Sequence, residues 1–279
     1  MTLAPLIGAA RAPDLAVMGF NLRRRLPSAL TRGRDRWTAR APLVRRLFAA
    51  ERPTVVGLQE AFADQTDVVL DGLGAGYRAL GHGRDARGGG EGCPIVYDAD
   101  RLELLDWRQL ALSNTPEVAG SRSFGNPMPR VVVVARFRDR ATGTTLRAVN
   151  THLDPFSARS RLRSAEMIVA MLGQREPTEP TVLTCDANAP AGSAAYREFT
   201  GRGGLADAWH LADRLLTPEW NTYSGYRAPR STGRRIDWLL VGGGMRVPAA
   251  GINTVRFAGA AASDHEPVQA LLRLPADDD

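Results

Sequence analysis

The chain has 279 residues with a hydrophobic fraction of 44% and a charged fraction of 24%, as expected of an ordinary globular protein. Its net charge is +6 and all 36 basic residues are arginines, so the missing lysine excludes a Walker-A phosphate loop and Schiff-base chemistry. No apolar run reaches the roughly 20 residues of a membrane helix, and two cysteines, Cys93 and Cys185, exclude a disulfide framework.

In chain order, strand-like and helix-like patterns alternate and are followed by pairs of strands. Apolar residues at helical spacing predict helices over residues 36–50 and 157–172, the second capped by Ser157. Strands are predicted over residues 15–20, 54–58, 92–97, 102–112, 130–138, 144–151, 181–185, 235–241, 252–257 and 266–273.

So many strands with few, peripheral helices favour an α/β fold of two packed sheets with helices outside, and not a single parallel sheet. Without a linker-like segment, residues 1–279 are predicted to form a single domain, with residues 1–13 and 276–279 peripheral. The glycine-dense segment 81–92 predicts a mobile loop.

Polar clusters follow several of the predicted strands. They are Asn21, Gln59-Glu60, Asn150-Thr151-His152, Asp186-Ala187-Asn188 and Ser263-Asp264-His265. They are rich in oxygen and imidazole donors and contain no cysteine ligand pair, which indicates a site for a hard cation. Cys185, beside Asp186, is interpreted as a small buried residue, although a nucleophile or ligand is the alternative.

The residue types suggest a chemistry. Glu60 is a natural ligand for Mg²⁺, which proteins usually hold with one or two carboxylates and water. Asp186 and Asn188, two residues apart, can point to the same side, one to orient a water or the metal shell and the other to donate its amide to a phosphoryl oxygen. Asp264 can orient His265, or it can serve the metal or the other histidine.

Taken together, these residues resemble the endonuclease/exonuclease/phosphatase superfamily, the fold of DNase I-like nucleases and of several lipid and nucleotide phosphatases. Six motifs occur in the order of that family. They are Phe20-Asn21, Gly57-Leu58-Gln59-Glu60, Asn150-Thr151-His152-Leu153-Asp154, Cys185-Asp186-Ala187-Asn188, Arg235-Ile236-Asp237-Trp238 and Ser263-Asp264-His265-Glu266-Pro267. The resemblance implies a DNase I-like four-layer sandwich of two mainly antiparallel sheets flanked by helices.

The resemblance also implies the roles of the metal and the base. Glu60, with Asn21 close by, would hold Mg²⁺ or Mn²⁺. His265, with Asp264, would complete the metal and general-base side. Asp186 would position or deprotonate the attacking water.

Other residues would act on the phosphate. His152 would donate a hydrogen bond to the phosphoryl oxygens, and Asn188 would stabilise the transition state. Asp237 would orient a histidine. Arg130 is a candidate phosphate contact, with an ordinary arginine at a strand edge as the equal alternative. Ser224 stands where related bacterial members often have a histidine, which bears on the substrate pocket.

The resulting hypothesis is a metal-dependent phosphoesterase of the phosphodiesterase or nuclease type, which uses a water activated by the metal and by Asp and His side chains. A phosphomonoesterase acting on a small molecule or lipid headgroup is the first alternative, and a non-catalytic phosphate-binding module is the second. The expected partner is a phosphoester substrate, with nucleic acid as one option given the basic charge. No membrane span and no obligate protein partner are inferred. The N-terminal apolar patch has no basic segment before it, which favours a cytoplasmic location.

Overall fold

Two six-stranded β-sheets form the middle of the protein, seen here in a computed structural model that describes residues 4–31, 33–173 and 179–275. In spatial order the first sheet contains β11 (Arg246–Ile252), β12 (Val268–Arg273), β1 (Asp14–Asn21), β2 (Val55–Gln59), β4 (Ile95–Asp98) and β3 (Tyr77–Leu80). The second sheet contains β5 (Leu102–Ala111), β6 (Val131–Asp139), β7 (Thr145–His152), β8 (Thr181–Asp186), β10 (Asp237–Gly242) and β9 (Ala206–Asp207).

Most neighbouring strands are antiparallel, as the resemblance implied. The two parallel pairs are β1 with β2 in the first sheet and β7 with β8 in the second. A parallel pair brings the carboxyl ends of both strands to the same edge of its sheet. This edge carries the polar motifs in both sheets.

Helices cover the outer face of each sheet. On the first sheet, α1 (Trp37–Glu51) and α2 (Ala63–Leu73) bury a core that includes Phe20 and Phe48. On the second, α3 (Ala158–Leu172) and α4 (Ala194–Thr200) bury a core around Trp238. A third core lies between the sheets, so the four-layer α/β sandwich is confirmed. The short helix α5 (Ala208–Leu211) and two 3₁₀ turns (Ser28–Leu30 and Gly33–Asp35) complete the elements.

The predicted helices are confirmed as α1 and α3. The predicted cap is also present, because Ser157 Oγ accepts a hydrogen bond of 3.1 Å from the Ser160 amide at the start of α3. The sequence patterns did not predict α2, α4, α5, β3 or β9.

The predicted strand over residues 252–257 is wrong. The strand there is β11, which ends at Ile252 and starts earlier, at Arg246. Pro248 lies within it, where the register with β12 is irregular between Arg246 and Ala249. Because β11 is an edge strand, the missing proline amide removes no bond to a further strand, so proline is tolerated.

Of the two segments predicted to be peripheral, only residues 4–13 of the N-terminal one are described. Residues 1–3 and 276–279 lie outside the described residues. The rest of the N-terminal segment is attached to α1, since the amides of Leu6 and Gly8 donate to the Glu51 carboxylate at 2.7 and 3.1 Å. The 81–92 segment is a loop, as predicted, with the Asp85 amide donating to the Gly89 carbonyl at 3.0 Å.

No helix in the described ranges is both long enough and apolar enough to pass through a bilayer. The expected cytoplasmic location stays a prediction. Cys93 and Cys185 are free and buried, as predicted for Cys185, and burial raises the pKa of both thiols.

Candidate active site at the edge of the two sheets

The site begins with strand ends that the fold brings together. Asn21 at the end of β1 pairs in register with Gln59 at the end of β2, so Glu60 follows directly at this edge. In the facing sheet, His152 at the end of β7 pairs with Asp186 at the end of β8. Residues far apart in sequence therefore meet between the two sheets.

Asn21 joins the acidic groups of the two sheets. Its Nδ2 atom donates to Asp186 Oδ2 at 2.7 Å and to Glu60 Oε1 at 3.3 Å, and its side chain is fully buried. The other carboxylate oxygen of Glu60 accepts from the Arg24 amide at 3.0 Å. Glu60 is only partly buried, so its carboxylate borders solvent at the mouth of the cluster.

His265 is held by Asp237 and not by its neighbour Asp264. Asp237 starts β10 opposite Asp186, and its Oδ2 atom lies 3.0 Å from His265 Nδ1. This contact fixes the ring so that Nε2 lies 3.8 Å from Asp186 Oδ2. Asp237 thus lies where it can orient His265, as the resemblance implied. Of the alternatives left open for Asp264, the structure does not show a side-chain pairing with His265.

Asp264 is turned toward a different partner because its carboxylate faces β1. Its Oδ2 atom lies 3.6 Å from Arg23 Nε, and its Oδ1 accepts from Ser263 Oγ at 3.3 Å. Ser263 Oγ also lies 2.7 Å from the Asn21 carbonyl, to which it can donate. Asp264 therefore ties the loop before β12 to the end of β1.

His152 and Asn188 form the other side of the cluster. Asn188 Nδ2 donates to the Leu153 carbonyl at 3.1 Å and lies 2.8 Å from His152 Nε2. Because that amide nitrogen is a donor, His152 Nε2 is the acceptor and the ring is neutral. Burial, helped by Arg130, holds the pKa of His152 well below its ordinary value, in agreement with this state.

Arg130 lies just before β6 and is 4% exposed. Its Nε atom is 3.4 Å from Asp154 Oδ2. After burial, the positive charge of Arg130 is the next cause that lowers the pKa of His152. The proposed contact between Arg130 and a substrate phosphate stays a prediction.

Three residues of the site edge adopt left-handed backbone conformations that side chains other than glycine rarely take. The φ angles are 55° at Arg23, 55° at Glu60 and 48° at Asn188. Asn188 tolerates this region well, but Arg23 and Glu60 do so at a cost of order 1 kcal/mol or more each. Backbone strain thus accompanies the turns that aim the functional side chains.

Burial and charge set the protonation of the acidic groups. Burial opposes the charge on Glu60, yet the neighbouring His152 ring, the amide of Arg24 and the charge on His265 lower its pKa below the ordinary value. Asp186 behaves in the opposite way, because burial and the neighbouring Asp237 carboxylate raise its pKa to about 7. Burial also raises the pKa of Asp264.

His265 is charged at neutral pH. Burial alone would lower its pKa, but the carboxylates of Asp237 and Asp186 outweigh burial and raise it to about 10. At pH 7 its ring therefore donates from both nitrogens. His265 is then a hydrogen-bond donor or acid, while Asp186 is the group whose pKa suits a base.

The donor set suits a divalent cation. Ligand atoms of Asp186, Asp237 and His265 lie within 4.8 Å of one another, and Glu60 adds a further carboxylate through Asn21. Crowded carboxylates repel one another, as the raised pKa of Asp186 indicates, and a cation relieves that repulsion. The set contains no thiolate, and its carboxylates are ligands of Mg²⁺ or Mn²⁺. The charged His265 has no free nitrogen lone pair, so it cannot coordinate the cation in this protonation state.

Some site residues were not predicted. Arg23 and Tyr223 contact the cluster, through Asp264 and through the ring of His265 respectively, and no sequence motif marks either one. Ser263 belongs to a recognised motif, which is the signal that could have identified it. His82, which belongs to no quoted motif, bonds to Gln109 on β5 and to Gly83 in the glycine-rich loop.

Comparisons with solved structures give close matches over nearly the whole chain. An endonuclease/exonuclease/phosphatase from Bacteroides vulgatus is 29% identical with a TM-score of 0.86, over 94% of this chain and 99% of the other. A mannosyl-6-phosphatase from Bacteroides thetaiotaomicron is 28% identical with a TM-score of 0.85, over 93% and 100%.

A more distant match shows the fold alone. It is D. rerio TDP2 in complex with a single-strand DNA product, 15% identical with a TM-score of 0.69, over 94% of this chain and 100% of the other. A search of curated proteins gave no match. The family match itself spans residues 18–265, which includes five of the six motifs whole and the last one through His265. The chain belongs to the Endonuclease/Exonuclease/phosphatase family, and like the members of that family it is a phosphoester hydrolase.

Proposed function

We propose that this protein hydrolyses phosphodiesters with the help of Mg²⁺ or Mn²⁺. The observation that carries the proposal is the chain of contacts from Glu60 through Asn21 to Asp186 and on to His265. It combines a charged metal ligand, a carboxylate with a pKa near 7 and a charged imidazole in one cluster.

Glu60 and Asn21 are the residues that would hold the cation, with the Asp186 side of the cluster close by. When bound, the cation supplies Lewis-acid polarisation of the phosphoryl group and neutralises charge on the leaving oxygen. The donor chemistry supports this choice because no thiolate is available, and Cys185 is buried with a raised pKa.

The remaining residues divide the work on water and phosphate. Asp186 is proposed to accept the proton released when the water oxygen bonds to phosphorus, as the ester P–O bond breaks and the leaving oxygen departs with the bonding electron pair. The charged His265, fixed by Asp237, is proposed to donate to a phosphoryl oxygen as its negative charge grows. Asn188 and His152 border the same space, and once Asn188 turns its amide toward the phosphate, His152 is freed from accepting that bond.

A phosphomonoesterase is the second candidate. The likeness to the mannosyl-6-phosphatase of Bacteroides thetaiotaomicron, at 28% identity over 93% of this chain, favours it. The non-catalytic alternative has less support, because every polar group of the proposed mechanism is present in the cluster.

The test is a panel of esters with and without EDTA. It contains bis(p-nitrophenyl) phosphate, p-nitrophenyl phosphate, mannose 6-phosphate and plasmid DNA, each with Mg²⁺ or Mn²⁺. We expect EDTA-sensitive hydrolysis of the diester, and Asp186→Asn should lower its turnover by about 10²–10⁴-fold, as loss of a general base does.

The control variant is His82→Gln, which lies outside the cluster and should keep wild-type turnover. Diester hydrolysis at the full rate in EDTA would contradict the metal-dependent mechanism. Hydrolysis of the monoesters alone would establish the second candidate in place of the first.

A further inference from the structure

A cavity of about 430 Å³ lies beside the proposed active site. We call it the arginine pocket, and its lining includes Asn221, Tyr223, Arg227, Arg230, Arg234 and Ile236. Its volume lies within the range of roughly 300–1,000 Å³ in which proteins bind small ligands.

The arginine pocket shares a wall with the catalytic cluster. The centroid of the Tyr223 ring lies 5.0 Å from that of His265. The next two residues, Ser224 and Gly225, donate their amides to the Asp264 carbonyl at 2.9 and 3.0 Å. At the other end, Ile236 directly precedes Asp237, the partner of His265. The pocket therefore lies directly next to His265, within reach of a ligand bound at the cluster.

The pocket carries positive charge, and no carboxylate among the residues that the structure describes forms an ion pair with it. Residues 220–236 contain no aspartate or glutamate. Arg227, Arg230 and Arg234 are exposed, and within the described part of the chain none of them has a carboxylate within 4.0 Å. Arg235, next to them in sequence, differs because it is buried against Asp207 at 2.6 Å. Arg235 supports the fold, and the other three are available for an anion.

The aromatic ring at the shared wall is unusually open. Tyr223 is 52% exposed although it touches the buried His265. An exposed ring next to several arginines is the combination with which proteins bind the bases and phosphates of single strands. The ring thus favours a nucleotide, whose base can stack on it, while the arginines would bind the phosphate of any substrate.

We propose that the arginine pocket binds a second phosphate of the substrate, so that the preferred substrate is a phosphoester carrying at least two phosphates. The inference rests on the proposed hydrolysis at the neighbouring cluster and specifies its substrate class. A single-stranded oligonucleotide and a small bisphosphate share this chemistry and are separated by the experiment.

The experiment compares two double variants that each remove two positive charges. Arg230→Gln/Arg234→Gln changes the pocket, and Arg108→Gln/Arg138→Gln changes two exposed arginines on β5 and β6, outside it. The kcat/KM value is measured with Mn²⁺ on a single-stranded DNA octamer, fructose 1,6-bisphosphate, bis(p-nitrophenyl) phosphate and p-nitrophenyl phosphate.

The pocket variant should lose about tenfold or more on the octamer or the bisphosphate, the size of one or two charge-assisted hydrogen bonds. It should change by less than about twofold on the esters with a single phosphate, as should the control variant on every substrate. Loss on the octamer identifies the nucleic-acid source, and loss on the bisphosphate alone identifies the small-molecule source. Equal effects on all four substrates, or no effect on any, would overturn the proposal.

A binding measurement in EDTA separates this inference from the proposed function. The fluorescence anisotropy of a labelled octamer should show weaker binding by the pocket variant than by the control. The plot of log K against log salt should become less steep by about 0.7, because the contact to one phosphate of a single strand is lost. If no ester is hydrolysed but this difference holds, the proposed function fails and the phosphate pocket stands. If the two variants bind alike, the pocket proposal fails.

Discussion

Asn150 and His152 lie two residues apart on β7, yet they do different things. Asn150 Nδ2 donates to the carbonyls of Leu58, Cys93 and Pro94 at 2.7, 3.0 and 3.1 Å, which joins the second sheet to the first. His152, at the end of the strand, contacts Asn188 and Asp186 instead. Asn150 therefore holds the sheets together, and His152 lies in the proposed active site.

The pKa values of the two histidines in the cluster should be shifted in opposite directions from the ordinary value. The protein has four histidines, so each ring can be followed by NMR in EDTA. We expect His265 to keep its proton up to about pH 10, because Asp237 and Asp186 outweigh burial, and His152 to remain neutral at pH 6.5. Asp237→Asn should lower the pKa of His265, since a raised pKa falls when the carboxylate that raises it loses its charge.

Asp264→Asn is the matched comparison for that titration. Its carboxylate is adjacent in sequence but faces Arg23, so it should lower the pKa of His265 less than Asp237→Asn does. A wild-type His265 that titrates near its ordinary value, or a larger effect of Asp264→Asn, would contradict the pairing of His265 with Asp237.

Among the strands, β2 packs very closely against β7 and β8 of the facing sheet at Gly57. A Cβ atom added to Gly57 would lie 1.9 Å from Thr184 Oγ1 and 2.6 Å from Asn150 Oδ1. Gly57→Ala should therefore lower the free energy of unfolding by about 3 kcal/mol, because overpacking forces the two sheets apart. The measurement is urea unfolding followed by circular dichroism.

Gly89→Ala is the control for Gly57→Ala, since a Cβ atom there meets nothing within 4 Å. It should change the free energy of unfolding by less than about 0.5 kcal/mol. Equal stability of the two variants would mean that the close approach of β2 to β8 is not a constraint on the fold.

The turn between β6 and β7 is anchored by Asp139. Its carboxylate accepts from Arg101 at 2.5 and 2.7 Å and from the Ala141 amide at 3.0 Å. Burial opposes the charge, but these donors lower the pKa of Asp139 below its ordinary value. Asp139→Asn should lower the free energy of unfolding by about 2 kcal/mol at pH 7.

The pH dependence of that loss has a definite sign. A depressed folded pKa gives stability that is present above the unfolded pKa of about 3.9 and is lost as the pH falls through the folded pKa. The difference between wild type and Asp139→Asn should therefore shrink from pH 7 to pH 3 in urea unfolding. Asp71→Asn, at an exposed pair with Arg45, should cost less than about 0.5 kcal/mol at both pH values.

Elements with a strong periodic pattern were predictable, and the others were not for identifiable reasons. The α1 and α3 helices have apolar stripes that the sequence displays. The α2 helix starts after Phe62, which offers no capping oxygen, and contains Gly72 near its end, so its boundaries are not marked. The β11 strand was not predicted at its true position because it contains Pro248. A proline within an apolar run argues against a strand unless that strand lies at the edge of a sheet.

The sequence was enough to predict which residues lie together in the cluster, but not which of them contact one another. The strand ends identified Asn21, Glu60, His152 and Asp186, since parallel neighbours share an edge. The partner of His265 depends on where β10 lies relative to β8, which is a property of the sheet order. The arginine pocket lies in a segment without periodicity, so only the folded loop brings its charges together.

In the whole molecule, the acidic cluster is a local exception to a basic chain. The net charge is +6, yet Glu60, Asp186, Asp237 and Asp264 crowd into one site, where burial and the charge of Asp237 raise the pKa of Asp186. Arginines at the rim, such as Arg23 beside Asp264, offset part of that negative charge. A divalent ion that binds only the folded state should therefore stabilise the entire fold.

Differential scanning fluorimetry can measure this stabilisation directly. Mg²⁺ or Mn²⁺ at about one hundred times its Kd should add about 2.7 kcal/mol to the free energy of unfolding, which raises the Tm by roughly 5 °C. Glu60→Gln removes the charge of the proposed ligand, so the same rise should need a higher cation concentration. The exposed Glu117→Gln is the control with an equal change in net charge and should respond like wild type. A Tm that does not depend on the cation, or an unchanged response in Glu60→Gln, would show that the cation is not held by Glu60.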